Sequence, residues 1–178
     1  MKDKLRKALK IKRENFRGEQ RIKADRAIAS SFLSAYGGYE SYFVYNSFGG
    51  EADTSLIIKE LLKAGKRVCI PRVEGDTMCA VPYTVGTQTK KGAFGIEEPQ
   101  GQAYSGKLDV IIIPLLAVNP GGYRIGYGKG FYDKFLKGLN SVKIGLGYSF
   151  QQEEFINDEW DEPLDGFVSE KGITTFGK

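Results

Sequence analysis

Apolar positions along the chain recur with two different periods, and the switches between those periods outline the expected elements. Leu5, Ala8, Leu9 and Lys12 fall at helical spacing among basic residues, and Ala24, Ile28, Phe32 and Ala35 repeat the pattern after a break near Gly18. This predicts two N-terminal helices, the second ended by Gly37-Gly38. The aromatic run Tyr42-Phe43-Val44-Tyr45 predicts a strand, since such side chains pack well on a pleated surface. A loop from Asn46 to Asp53 leads to Thr54 as N-cap and to a helix carrying Ile57, Leu61 and Leu62, closed by Gly65. Arg67 to Ile70 predicts the next strand, stopped by Pro71. Short extended pieces are expected around Cys79 to Thr84, then a loop rich in Gly, Lys and Gln up to Gly106. The run from Asp109 to Pro114 reads as a strand covered on both faces. A glycine-rich loop follows, then a helix from about Gly130 to Leu139 and a strand at Val142 to Leu146. Strands alternating with helices imply an α/β fold with a mainly parallel sheet, and residues 1–178 are expected to form a single domain.

Composition narrows the class. A hydrophobic share of 41% with 27% charged residues is that of a soluble globular protein. Val110 to Ile113, the longest apolar run, is far too short to cross a bilayer. The basic start Met1-Lys2-Asp3-Lys4-Leu5-Arg6 has no apolar segment behind it, so the expected address is cytoplasmic, without export or membrane contact. Cys69 and Cys79 sit in strand-like stretches and are expected as unpaired, buried thiols. Histidine is absent, which excludes Ser-His and Cys-His nucleophilic sites, His-ligated zinc and any imidazole acid or base. The net charge of +4 is uneven: residues 1–26 hold eleven Lys or Arg against four Asp or Glu, and the remaining residues 15 against 18. The basic N-terminus suits either an anionic ligand or a solvated helix face.

The stretch Asn119-Pro120-Gly121-Gly122-Tyr123-Arg124-Ile125-Gly126-Tyr127-Gly128-Lys129-Gly130-Phe131-Tyr132-Asp133 carries the most chemical information. It holds five glycines within Gly121–Gly130. Glycine loses more backbone freedom on ordering than other residues, so such a loop persists where the chain turns tightly or approaches a ligand closely. Successive amides leading into a helix, with Arg124 and Lys129 beside them, could cradle phosphate. The spacing is not that of a Walker A loop, because Gly130 follows Lys129, nor of a dinucleotide fingerprint, because Gly126, Gly128 and Gly130 run G-x-G-x-G. Spacing alone leaves an anion cradle and an ordinary strand-to-helix connection both open.

Arg124 to Asp133 closely resembles the signature loop of the 5-formyltetrahydrofolate cyclo-ligase family, and the likeness runs along nearly the whole chain in order. Lys2 and Arg6 match the family's basic N-terminal helix, Glu51-Ala52-Asp53-Thr54 its E-x-x-T turn, and Ile70-Pro71-Arg72 the strand end that follows. Phe94-Gly95-Ile96-Glu97-Glu98-Pro99 resembles a G-I-x-E-P element, Asp109 to Pro114 the strand before the glycines, and Trp160-Asp161-Glu162-Pro163-Leu164-Asp165 a D-x-x-x-D turn. One departure is Trp160, where many members carry a histidine.

The resemblance implies a three-layer α/β domain with a mixed, mainly parallel sheet, similar to sugar-phosphate isomerase and CoA transferase-like folds. It also implies the ATP- and Mg2+-dependent cyclisation of 5-formyltetrahydrofolate to 5,10-methenyltetrahydrofolate through a phosphorylated formyl (iminophosphate) intermediate. An amide oxygen carries no proton to remove, so this phosphoryl transfer needs alignment and charge stabilisation more than a base. Carried onto this chain, ATP falls on Lys2, Asp3, Lys4, Leu5 and Arg6 and on Arg124, Ile125, Gly126, Tyr127, Gly128, Lys129, Gly130, Phe131 and Tyr132. Folate falls on Asn46, Glu51, Tyr127, Gly128, Lys129, Gly130 and Phe131, with Asn46 differing in type from the family pattern. Lys129 is expected at the transferred phosphoryl group, and Arg124 either forks onto phosphate oxygens or pairs with a carboxylate. Glu51 is expected to accept a hydrogen bond from N10 or the pterin. Asp133 and Asp165 match the magnesium positions, though Asp133 also suits a helix start and Asp165 a turn. Tyr127, Phe131, Tyr132 and Phe48 could wall the pterin or serve the core.

Three other readings remain at this stage: a folate- or nucleotide-binding protein without turnover, a basic nucleic-acid-binding module, and a different ATP-dependent activity on the same fold. The acidic balance after residue 26 and the lack of a recognised nucleic-acid motif weigh against the second, so the expected partners are 5-formyltetrahydrofolate and ATP, on a monomer.

Overall fold

Helix α1 (Lys2–Asn15) and helix α2 (Glu19–Tyr36) precede strand β1 (Ser41–Val44) in the computed structural model, which describes residues 1–92 and 94–177. Ala93, within the expected Gly-, Lys- and Gln-rich loop, and Lys178 lie outside the described residues. Helix α3 (Ser55–Lys63) leads into β2 (Arg67–Glu74) and β3 (Thr77–Pro82), and a small hairpin follows, β4 (Thr89–Lys91) with β5 (Glu97–Pro99). The chain continues through β6 (Val110–Pro114), β7 (Ala117–Val118), β8 (Arg124–Ile125), α4 (Phe131–Leu136) and β9 (Val142–Leu146). After a 3-10 turn at Ser149–Gln151 it closes with β10 (Gly166–Ser169) and β11 (Gly172–Thr175).

Seven strands form one sheet in the order β11-β10-β9-β6-β1-β2-β3. Neighbours from β10 to β2 run parallel, and the outer strands β11 and β3 are antiparallel. Tyr42 and Val44 of β1, with Val110 and Ile112 of β6, pack against Ala24, Ile28 and Phe32 of α2 and Ile57 and Leu61 of α3. The intervening Phe43, Ile111 and Ile113 point to the opposite face, where Leu136 of α4, Leu164 and Phe167 lie. Because both faces are covered, the central strands carry apolar residues without alternation. The result is the expected three-layer α/β arrangement with a mixed, mainly parallel sheet. Among the described residues no helix is long and apolar enough to cross a membrane.

Several local expectations are corrected. Pro71 does not stop β2: the strand runs on to Glu74, with Pro71 opposite Ala80 of β3. The β1 register ends at Cys69, so Pro71 lies where one side of the strand has no ladder to supply, a position that tolerates the missing N–H. Thr54 stands at the N-cap position of α3, yet its hydroxyl donates to the Tyr45 carbonyl at 2.7 Å, and the Asp53 carboxylate accepts the Ser55 amide at 2.8 Å. Helix α4 ends at Leu136 rather than Leu139, where Lys137 leaves helical geometry. Cys69 is buried as expected, and burial pushes its thiol up to about 11, whereas Cys79 is only half-buried; neither forms a disulfide.

The glycine-rich connection is also more structured than a plain loop. Its first half is a hairpin, with Ala117 opposite Ile125 and Val118 opposite Arg124. Asn119 closes the turn: its Oδ1 accepts the Gly121 and Tyr123 amides, each at 3.0 Å, and its Nδ2 donates to the Phe155 carbonyl at 3.1 Å.

Candidate functional site

Strand order reverses at β1. From β1 the chain passes through α3 to β2 on one side, and later to β6 on the other. Loops leaving the carboxyl ends of two such strands diverge and leave a crevice between them, the usual ligand position in open α/β sheets. Here those loops are Asn46–Asp53 after β1 and the glycine-rich segment after β6. Helix α1 packs beside them through Leu9, which is buried with Ala117 and Ile125. Between these parts lies a cavity of about 680 Å3, within the size range of ligand pockets.

Cations gather at one region of the cavity. Lys2, Arg6, Lys10 and Arg13 line it from α1; their spacing puts them on one helix face. Asp3, Lys4 and Leu5 do not line it: Asp3 accepts from Arg6 Nη1 at 2.7 Å on the outer side, and Leu5 packs against the small apolar cluster around Leu9. The ATP contacts expected of those three residues find no support in the cavity lining, which α1 supplies with every third or fourth residue. Arg6 Nε donates to the Gly126 carbonyl at 2.9 Å and so ties α1 to the glycine loop. All of Arg124, Ile125, Gly126, Tyr127, Gly128, Lys129, Gly130, Phe131, Tyr132 and Asp133 line the cavity. Gly128 at φ +89° and Gly130 at φ +74° adopt the left-handed conformation that other residues enter only with strain, which fixes the loop's path past Arg6 into α4.

Arg124 is almost fully covered, with 8% of its side chain exposed, and Nη2 donates to Asp133 Oδ1 at 2.8 Å. Burial lowers its pKa; the neighbouring Asp133 carboxylate acts in the opposite direction. Lys129 is exposed at the loop's edge. Lys2 Nζ lies 2.8 Å from Asp158 and 3.9 Å from Asp161. Asp165 is not brought to Asp133. Its carboxylate accepts the Lys143 amide at 2.8 Å where β9 begins, at the end of the parallel strands opposite to the cavity.

Carboxylates and cations are mixed here: Asp133, Asp158, Asp161 and Glu162 line the same cavity as Lys2, Arg6, Arg124 and Lys129. Among the described residues no three Asp, Glu or Cys side chains stand close enough to enclose a metal ion. That donor set fits magnesium, which takes one or two carboxylates and completes its shell with water and phosphate oxygens.

The residues expected to take folate line the cavity farther along. Glu51 is 8% exposed. Its Oε1 accepts the Phe48 amide at 2.8 Å and its Oε2 accepts the Tyr127 hydroxyl at 3.1 Å. Burial raises the Glu51 pKa despite these hydrogen bonds and nearby Arg13, and burial likewise raises that of Tyr127. Asn46 donates to the Glu97 carbonyl at 3.2 Å and joins the β4–β5 hairpin to the crevice. Phe94 of that hairpin meets Phe131 edge-on at 5.8 Å, and Phe48, Trp160, Met78 and Ile96 add apolar wall. Tyr132 reaches the cavity but also packs in the core against Phe43.

Sequence reasoning overlooked Arg13, Lys10, Asp158 and the carboxylate of Asp161. The first two were visible as the continuation of the Lys2-Arg6 face; Asp161 opened the D-x-x-x-D turn, Asp158 carried no local signal, and both needed the fold to bring residues 158–161 against α1.

The model of the 5-formyltetrahydrofolate cyclo-ligase family matches residues 1–170. The chain is 34% identical over 132 residues to the Haemophilus influenzae 5-formyltetrahydrofolate cyclo-ligase, spanning 68% of this chain and 71% of that one. The Escherichia coli (strain K12) enzyme of the same name is 33% identical over 137 residues, or 71% and 75% of the two chains. The solved structure of Aquifex aeolicus 5,10-methenyltetrahydrofolate synthetase superposes with a TM-score of 0.89 at 34% identity, covering 99% of this chain and 93% of that one. The Mycoplasma pneumoniae 5,10-methenyltetrahydrofolate synthetase gives 0.77 at 25% identity over 95% and 98%. A switch-point crevice lined by a basic helix and a glycine loop thus coincides with sequence likeness over nearly the whole length, and the chain belongs to the 5-formyltetrahydrofolate cyclo-ligase family.

Proposed function

We propose that the protein converts 5-formyltetrahydrofolate to 5,10-methenyltetrahydrofolate with cleavage of ATP to ADP and phosphate. The observation that carries this reading is the convergence, in one cavity, of four cations around a glycine loop with a buried glutamate a short way along. Lys2, Arg6 and Arg124 hold the triphosphate against the Gly126–Gly130 backbone, and Lys129 meets the transferred phosphoryl group. The formyl oxygen attacks that phosphorus, the bond to the β-phosphate oxygen breaks, and ADP departs. N10 then attacks the activated formyl carbon, and phosphate leaves with the former formyl oxygen and takes up the proton that N10 gives up. Glu51 accepts a hydrogen bond from the N10 hydrogen and so aims its lone pair at that carbon. The apolar wall formed by Phe48, Phe94, Phe131 and Tyr127 takes the flat pterin and excludes water.

Asp133, with Asp161 in the place expected of Asp165, would hold a magnesium ion carried in by the nucleotide. When bound, that ion would offset the negative charge of the nucleotide phosphates. Arg124 then exchanges Asp133 for phosphate oxygens, which its planar fork suits.

The test mixes purified protein with 5-formyltetrahydrofolate and Mg-ATP and follows the methenyl chromophore, with parallel samples lacking ATP, containing EDTA, or using Lys129→Ala. Chromophore formation only in the complete wild-type mixture is expected. Folate and nucleotide binding without turnover would overturn the catalytic reading.

A further inference from the structure

Arg13 belongs to the last turn of α1, is 6% exposed, and has no role in holding phosphate or pterin described above. Its guanidinium is committed to the far side of the crevice. Nη2 donates to the Tyr127 hydroxyl at 2.9 Å, Nη1 reaches the Leu115 carbonyl at 3.5 Å, and the plane faces the Tyr127 ring at 5.5 Å from its centroid. Its buried Nε has no hydrogen-bond partner among the described residues, a costly state for a covered charged group unless something fixes the side chain there. The contacts of Nη1 and Nη2 hold it there, and Gly50 leaves it room: a Cβ at that position would stand 2.9 Å from Arg13 Cβ and 3.3 Å from Nε, so the Glu51 loop closes over the arginine only because it carries glycine.

The consequence lies in the direction of the hydrogen bonds. A phenol has one proton, and arginine can only donate. With Arg13 filling a lone pair of the Tyr127 oxygen, the tyrosine proton is left to point at Glu51 Oε2, 3.1 Å away. Glu51 Oε1 is meanwhile held by the Phe48 amide. The carboxylate is thereby fixed in position from both ends and kept as an acceptor. We propose that Arg13 is a positioning residue for ring closure: acting through the Tyr127 hydroxyl, it sets the orientation and charge of Glu51 for N10 of the folate. This rests on the cyclo-ligase reading and assigns the inner end of the basic α1 face to the ring-closing step, while Lys2 and Arg6 at its outer end serve the nucleotide.

A double-mutant cycle with Arg13→Gln and Tyr127→Phe in the full-length protein tests it, read as kcat for methenyl formation, KM for Mg-ATP and thermal midpoint. Each single variant is expected to lose about ten- to hundredfold in kcat, the scale of one charge-assisted hydrogen bond, with KM for Mg-ATP nearly unchanged. The double variant is expected to lose little more than either single one, and Arg13→Lys, which keeps a donor and a charge, to recover part of the loss. Additive losses, or a lowered thermal midpoint with kcat intact, would overturn the proposal. If Arg13→Gln does not fold, Tyr127→Phe decides alone, since that side chain is 39% exposed and its ring is retained; an unchanged kcat then overturns it. A wild-type protein that forms no methenyl product would instead sink the cyclo-ligase reading itself.

Discussion

At the residue scale, Lys129 and Glu51 mark two kinds of functional side chain. Lys129 is exposed, so replacing it removes a charge at the loop's edge without disturbing the core. Lys129→Ala is expected to lower kcat by about a hundred- to a thousandfold, the range for losing one preorganised donor, with the thermal midpoint unchanged. Glu51 is the opposite case, a carboxyl whose pKa burial lifts above its ordinary 4.5. Well below 4.5 the group is protonated in both folded and unfolded chains and costs nothing. As pH rises from 4.5 to the raised value, the unfolded chain ionises while the buried group resists, and the folded state loses stability relative to a neutral side chain. Glu51→Gln should therefore melt like the wild type in acid and at a higher temperature near neutrality, while losing ring closure. A variant that melts lower at neutral pH would show that the charge is not the destabilising feature.

At the element scale, α1 is seated by a buried leucine and carries several site residues. Leu9, 1% exposed, seats the helix on Ala117 and Ile125, next to the strand that leads to Arg124. Leu9→Ala is expected to cost about 2–5 kcal/mol in urea unfolding and also to weaken Mg-ATP binding, because Lys2 and Arg6 lose their shared frame. The sheet offers a second test. A Cβ on Gly145 of β9 would stand 2.7 Å from both the Leu115 and Leu164 side chains, whereas Gly38 has nothing within 4 Å. Gly145→Ala should destabilise by about 1–3 kcal/mol by overpacking. Gly38→Ala, in the turn after α2, should be close to neutral in the same measurement.

At the scale of the whole molecule, the crevice joins segments that meet only after folding, so nucleotide binding should stabilise the whole fold. At about a hundredfold excess of Mg-ATP over its Kd, the thermal midpoint is expected to rise by about 5–10 °C, and less in high salt. No rise would count against a nucleotide site in the crevice. Much of this architecture was legible in the residues. The apolar runs placed β1, β6 and β9 almost to the residue, because strands covered on both faces carry few polar positions to blur them. The basic spacing of α1 and the glycines from Gly126 to Gly130 marked both sides of the cationic end of the crevice, since each is a local demand on backbone or helix face. Where the reading went astray, the deciding partner was distant. Whether Pro71 ends a strand depends on where the β1 ladder stops, and whether Asp161 or Asp165 faces the crevice depends on which end of β10 the chain enters. The order of strands, and with it the switch point between β1 and β6, is a property of pairing rather than of any one segment. So the sequence by itself determined the elements and the chemistry available to them, through local periodicity and residue type. Only the tertiary structure decided that Arg13, Tyr127 and Glu51 form one hydrogen-bonded unit, because three residues so far apart in the chain are brought together by packing alone.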